Sequence, residues 1–210
     1  MMSKKILWFR KEEKPGEWRV PLTPTGVSGL VQAGIDVVVE RFDHRIFSDR
    51  EYEQAGARLT DESWPQAPKE AVILGLKELN EDSFPIGHRM IYFSHTYKGQ
   101  HGARDVLARY AQGGGEIYDL EFLTDARGAR VAAFGYWAGY VGAALALMGY
   151  SYFKNNPLPF PALDHFRNKE ELIGHIRGQL GGVPPKAMVM GALGRCGRGA
   201  IDLLTSVSAD

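Results

Sequence analysis

The 210-residue chain contains one cysteine, Cys196. A lone cysteine cannot close an internal disulfide, so the composition fits a reducing, cytoplasmic setting. Net charge is also missing, because 25 Lys and Arg balance 25 Asp and Glu. With no excess of positive charge and no basic cluster, the chain has no electrostatic footprint for a nucleic-acid partner. The N-terminal MMSKKILWFRKE holds only a four-residue apolar run. That is too short for a secretory leader and reads as a first strand. His44, His88, His101, His165 and His175 show no metal-ligand spacing with Cys196 or with each other, so no metal is expected. No internal repeat or low-complexity run is present. What remains, 44% hydrophobic and 24% charged, is the composition of a soluble globular protein. The length suits one large domain or one and a half ordinary ones.

One long charge-free stretch does occur, the 23 residues from Val131 to Phe153. Its length could span a bilayer, and Gly135-xxx-Gly139 resembles a membrane helix-packing motif. It is interrupted by five glycines or serines and four tyrosines, and no second such segment accompanies it. No membrane association is expected. The stretch reads as a helix buried between two domains or in the interface of a homodimer.

The rest of the chain alternates strand and helix. Ile6–Phe9 predicts a strand, followed by a loop from Lys11 to Pro21. Thr23 and then Pro24 form a helix start, with a hydroxyl cap before a proline in the first turn. That helix runs to about Ala33 and stops at Gly34. Ile35–Glu40 is β-branched and alternating. Ser48 with Glu51 forms a capping-box pattern for a short helix ending near Gly56, and Arg58–Leu59 begins a short strand. Ala71–Leu76 and Met90–Phe93 are apolar runs of strand length. Val106, Leu107 and Tyr110 are spaced as in a helix over Ala103–Gln112, which Gly113–Gly115 ends. Glu116–Leu120 is a strand, and Thr124–Arg130 contains a turn. After the apolar helix (about Phe134–Phe153), Pro157, Pro159 and Pro161 mark a linker. Asn168 with Glu171 caps a helix to about Leu180. Gly181–Pro185 breaks it, Lys186–Met190 is a strand, and a helix follows from about Arg195 to Leu204. This rhythm predicts an α/β fold, a mostly parallel Rossmann-like sheet with helices on both faces.

In an open sheet of this kind, ligands bind beyond the carboxyl ends of the strands. Three predicted strands end there in Lys77, His95 and Glu121. A lysine, a histidine and a carboxylate at neighbouring strand tips form an acid–base constellation, because each can tune the others' proton affinity. Gly191-x-x-Gly194-x-x-Gly197 follows a predicted strand and opens a helix, the context of a dinucleotide turn. Its spacing is one residue off the usual pattern. Asp210 stands at the nominal distance for a ribose-binding acid, but five residues after the helix cannot supply the loop and strand it would need.

These motifs carry a family resemblance. GLKE at Gly75–Glu78, FSHTYK at Phe93–Lys98, YDLEFL and RVAAFG within Tyr118–Gly135, EWRVPLTP at Glu17–Pro24 and GALGRCG at Gly191–Gly197 are similar to saccharopine dehydrogenase, the NAD-dependent, lysine-forming family. The resemblance runs from about Leu7 to about Leu204. It implies NAD as cofactor and saccharopine, or lysine with 2-oxoglutarate, as substrate. Lys77 and His95 would be the acid–base pair, with Lys77 taking the amine proton and His95 serving imine hydration and collapse. Glu78 and Glu121 would tune them. Arg19, Gln100, Arg130 and Phe134 match substrate contacts, and Gly191, Gly194, Arg195 and Gly197 match the nucleotide turn. Ala129 departs from the family, which often carries an arginine before Arg130. Family members are longer. The domains implied are a catalytic domain over 1–135, a bridging helix and linker over 136–185, and an incomplete nucleotide-binding unit over 186–210. The alternatives are an amino-acid dehydrogenase of the alanine dehydrogenase and transhydrogenase group, or a redox-inactive binding fragment.

Overall fold

The order of the strands decides where the chemistry can sit. In the computed structural model, six parallel strands pair in the order β3-β2-β1-β4-β5-β6. They are β1 (Ile6–Phe9), β2 (Asp36–Glu40), β3 (Arg58–Thr60), β4 (Val72–Leu74), β5 (Arg89–Tyr92) and β6 (Glu116–Asp119). The sequence order reverses between β1 and β4, a doubly wound topology whose crevice opens at the carboxyl ends of those two strands. The structure describes residues 5–80, 82–155, 159–163, 165–182 and 185–208. Pro157, Val183, Pro184 and Asp210 lie outside them.

The alternation along each strand builds two cores. Val37 and Val39 face one side of the sheet with Phe9, where Val27 of α1 (Pro24–Gln32) and Tyr52 of α2 (Asp49–Gln54) cover them. Val38 and Trp8 face the other side with Ile73, Met90 and Tyr92, under Trp64 and under Tyr110 of α3 (Ala103–Gly113). Period-two burial of this kind requires helices on both faces. The local signals are used as expected. Thr23 accepts the Gly26 N–H at 3.2 Å, and Ser48 and Glu51 form a reciprocal capping box.

The chain divides into two units, Met1–Ala132 with the sheet and Ala133–Asp210. The second unit consists of α4 (Tyr136–Asn155), α5 (Lys169–Leu180) and α6 (Arg195–Ser208). Their shared core holds Tyr140, Leu147, Met148, Ile176, Leu203 and Val207. Gly139 lies against the Cys196 carbonyl and Gly199 against the Tyr136 carbonyl, too close for any Cβ. The Gly135-xxx-Gly139 pattern therefore serves close packing of α4 on α6 within this unit. None of the described helices is long and apolar enough to cross a membrane. Within the unit only one face of α4 is covered, and Trp137, Val141 and Leu145 on the adjoining face are exposed.

The expected strand at Lys186–Met190 does not form. Those residues carry no regular structure, and Met188 and Met190 are 86% and 87% exposed. A strand exists only through a neighbour's backbone, and among the described residues of this unit there is no strand to pair with. Regular structure in the described part of 186–210 is thus α6, entered through the glycine turn.

Candidate active site

The strand ends gather acidic and basic side chains into two clusters, one around Glu17 and one around His95. Lys77 stands three positions beyond β4, with its Nζ 3.8 Å from Glu17 Oε2. Glu17 is buried, and Arg19 grips it in a two-point fork, Nε to Oε1 at 2.7 Å and Nη2 to Oε2 at 2.5 Å. Burial raises the Glu17 carboxyl's proton affinity. The hydrogen bonds from Arg19 and the charges of Arg19 and Lys77 overcome it, so its pKa lies below the ordinary value of 4.5. Glu17 is an anion held between two cations, and the Arg19 fork is already engaged by a carboxylate of its own chain.

His95 follows β5 in the left-handed backbone region, with φ 55° and ψ 5°. That conformation is uncommon for a residue with a Cβ and clusters at functional positions. It presents the ring between two carboxylates, with Nδ1 2.7 Å from Glu78 Oε1 and Nε2 3.8 Å from Glu121 Oε2. Flanking contacts hold the segment. Ser94 Oγ donates to Asp119 Oδ2 at 2.8 Å, and Asp119 Oδ1 accepts the Glu121 N–H at 2.9 Å. One carboxylate thus ties the end of β5 to the end of β6. Glu121 Oε1 meets Lys98 Nζ at 2.9 Å and Arg130 Nη1 at 2.7 Å. Arg130 reaches it because a lone bridge between Thr124 and Arg130 folds the chain back, as the turn in that stretch predicts.

Two further carboxyls titrate low. Burial pushes Glu78 up, but a backbone N–H, the His95 hydrogen bond and the charges of Lys14 and His95 bring it below 4.5. For Glu121 the Lys98 hydrogen bond is the largest influence; burial opposes it, and Arg130, Lys98 and His95 reinforce it. Both carboxylates are charged at neutral pH and can receive or orient a proton on His95.

An open cavity of about 850 Å³ adjoins His95, lined by Glu78, Ser94, Gln100 and Arg109 among others. Lys77 is not among its lining residues; it turns toward Glu17. Phe134 belongs to the second unit and is exposed. In that unit Gly191 has φ 74°, and Gly194 N–H donates to the Gly191 carbonyl at 2.9 Å. Gly197 lies too close to that same carbonyl to bear a Cβ. Arg195 opens α6 directly after this turn. Among the described residues no group of three His, Cys, Asp or Glu could hold a metal.

Sequence reasoning singled out Lys77, His95, Glu78 and Glu121. It assigned no role to Glu17, Ser94, Lys98 or Asp119, although Ser94 and Lys98 lie inside the FSHTYK motif. Buried Arg10 and Glu12 in the run after β1 were missed as well. Charged residues directly beyond a central strand could have drawn attention to them.

Residues 8–141 match the model of the alanine dehydrogenase/PNT N-terminal domain. The chain is 47% identical over 210 residues to the NAD(+), L-lysine-forming saccharopine dehydrogenase of Neurospora crassa, covering 97% of this chain and 56% of that protein. The same enzyme of Emericella nidulans is 47% identical, with 98% and 58% covered. The chain therefore spans a little over half the length of these relatives. The mitochondrial alpha-aminoadipic semialdehyde synthase of Rattus norvegicus is 31% identical over 70% of this chain and 15% of its own length. Among solved structures, a transhydrogenase of Sinorhizobium meliloti superposes with TM-score 0.62 at 25% identity, covering 98% of this chain and 57% of that one. An L-alanine dehydrogenase superposes with TM-score 0.60 at 20% identity, covering 97% and 53%, and shares the fold. The parallel sheet, the charged strand ends and the match over residues 8–141 agree, and the chain belongs to the alanine dehydrogenase/PNT N-terminal domain family.

Proposed function

We propose that this chain carries the substrate-handling part of an NAD-dependent saccharopine dehydrogenase that forms L-lysine and 2-oxoglutarate. The observation that carries the reading is the paired arrangement at adjacent strand ends, Lys77 facing Glu17 and His95 set between Glu78 and Glu121. The relatives at 47% identity support that substrate.

Saccharopine joins the side-chain nitrogen of lysine to the α-carbon of a glutarate. Lys77, when neutral, takes the proton from the secondary ammonium, which leaves a lone pair to form the C=N bond as hydride departs the α-carbon. The hydride acceptor would be supplied by NAD, which Gly191, Gly194, Arg195 and Gly197 would hold. His95 then removes a proton from water as its oxygen adds to the imine carbon; it gives that proton to nitrogen and takes the hydroxyl proton as the C–N bond of the carbinolamine breaks. Lysine leaves, and the carbon becomes the ketone of 2-oxoglutarate. Glu78 orients the His95 ring through Nδ1 and stabilises the imidazolium, the role a carboxylate plays beside any general-base histidine. Arg130 and Gln100 are suited to the substrate's carboxylates, and arginine gives a planar fork for them. Phe134 would contribute apolar contact.

Gly191, Gly194 and Gly197 with Arg195 would hold the dinucleotide. The tight turn at positive φ before a helix N-terminus fits a phosphate. A second reading, substrate binding without redox chemistry, is favoured by the absence of strand structure at Lys186–Met190. NADH fluorescence titration and saccharopine calorimetry separate the two. Binding of both ligands, with saccharopine affinity lost in Lys77→Met, supports the enzyme. Saccharopine binding alone supports the second reading, and a protein that binds neither refutes both.

A further inference from the structure

The two peptide groups that flank the Lys77 Cα are each held by a charged side chain. The Lys77 N–H donates to Glu12 Oε2 at 3.0 Å, and the Leu76 N–H donates to Glu12 Oε1 at 2.6 Å. The Lys77 carbonyl accepts from Arg10 Nη2. Arg10 Nη1 donates to the Lys11 carbonyl at 3.1 Å, and Nη2 stands 3.7 Å from Glu12 Oε2. The two side chains are 1% and 3% exposed.

This grip begins where the strand ladder stops. The Arg10 N–H still donates to the Leu74 carbonyl at 3.0 Å, extending the β1–β4 pairing by one step. Beyond it, the N–H groups of Leu76 and Lys77 that face the β1 side are met by the Glu12 carboxylate in place of backbone. On the opposite side, backbone pairing continues: Gly75 N–H donates to Ile91 and Phe93 N–H to the Leu76 carbonyl. Gly75 is part of the device. A Cβ there would enter the Arg10 guanidinium at Nε and Cζ, so only glycine leaves room for the arginine to pass.

The arrangement is costly for stability alone. Buried ion pairs repay their desolvation only when every polar atom is met, and Arg10 Nε meets no hydrogen-bond partner among the described residues. An apolar pair of equal volume would serve the core as well or better. What the charged pair does that an apolar pair cannot is fix the two peptide groups on either side of the Lys77 Cα. We infer that Arg10 and Glu12 are positioning residues for Lys77. By clamping its N–H and carbonyl they set the direction in which the side chain leaves the backbone, and hold the amine against Glu17. The inference rests on the reading of Lys77 as an acid–base group.

The test follows the reactivity of the Lys77 amine against pH, by trace acylation with acetic anhydride and mass spectrometry, in the full chain. Exposed Lys69 is the internal reference. Circular dichroism establishes which variants fold. In Glu12→Ala and Gly75→Ala, the Lys77 profile should move along the pH axis while Lys69 stays in place. Glu12→Gln keeps one acceptor oxygen and should give an intermediate shift. Arg10→Lys keeps the charge but loses the fork, and should resemble Glu12→Ala. Saccharopine affinity by calorimetry should fall roughly tenfold in the shifted variants, as misplacement of a reacting group implies. Folded variants whose Lys77 profile superposes on wild type overturn the inference. If Glu12→Ala does not fold, Gly75→Ala and Glu12→Gln carry the same comparison. A shifted profile in a protein that never binds saccharopine supports the positioning and removes the substrate reading; saccharopine binding with no shift removes the positioning alone.

Discussion

His95 shows how much one residue's backbone can constrain a site. Its φ of 55° costs any residue with a Cβ more than it costs glycine. His95→Ala and His95→Gly both delete the ring, so their difference isolates the backbone. We expect the glycine variant to be more stable than the alanine variant by about 1 kcal/mol in chemical denaturation. Equal stabilities would mean that the backbone relaxes once the ring is gone. Glu17 gives a second prediction at this scale. Its pKa is lowered in the folded chain, so it contributes stability that is fully present above the unfolded value of 4.5 and is lost as pH falls through the folded value. Glu17→Gln should therefore lower the thermal midpoint at pH 7 and leave a smaller drop between pH 5 and pH 3 than wild type shows. A variant whose acid profile parallels wild type would refute the assignment. Lys77, His95 and Glu121 were legible as candidates because each follows a short apolar run, and Glu78 only through the family resemblance. The partners were not. Glu17 lies in a loop whose spacing carries no period, and nothing local distinguishes it from a solvated acid.

Among the elements, the capped helices follow sequence most closely. Asn168 accepts the Glu171 N–H at 2.9 Å at the start of α5, and Asn168→Ala should cost about 1 kcal/mol. The α4–α6 contact depends on shape instead. Gly139 and Gly199 bring the two backbones together, and Tyr136 Oη donates to Asp202 at 2.7 Å across the same seam. Gly199→Ala should force the helices apart and destabilise the second unit by about 1–3 kcal/mol, the usual cost of overpacking. Far-ultraviolet circular dichroism on heating would show it, and an unchanged melt would mean the helices slide without loss. The GxxxG pattern was visible in the sequence, but a small-residue stripe does not reveal which helix will use it. The segment Lys186–Met190 has strand composition and forms no strand, because β structure is a property of pairs.

At the scale of the whole molecule, Trp137, Val141 and Leu145 are exposed along α4, and Met188, Met190 and Leu193 are exposed in the same unit. Apolar surface of this kind marks association. Light scattering should show concentration-dependent self-association that Val141→Glu reduces. A stable monomer at all concentrations would refute it. The sequence by itself determined the alternation of strand and helix, the caps, and the charged residues placed at strand ends. Those signals arise within a few residues of each other, where hydrogen bonds and side-chain period act directly. The tertiary structure alone decided which charges meet. Arg10 reaches the Lys77 carbonyl across 67 residues, and Glu12 reaches Leu76 across 64. Only the strand order that sets β1 beside β4 brings them within hydrogen-bonding distance, and no local pattern encodes that order.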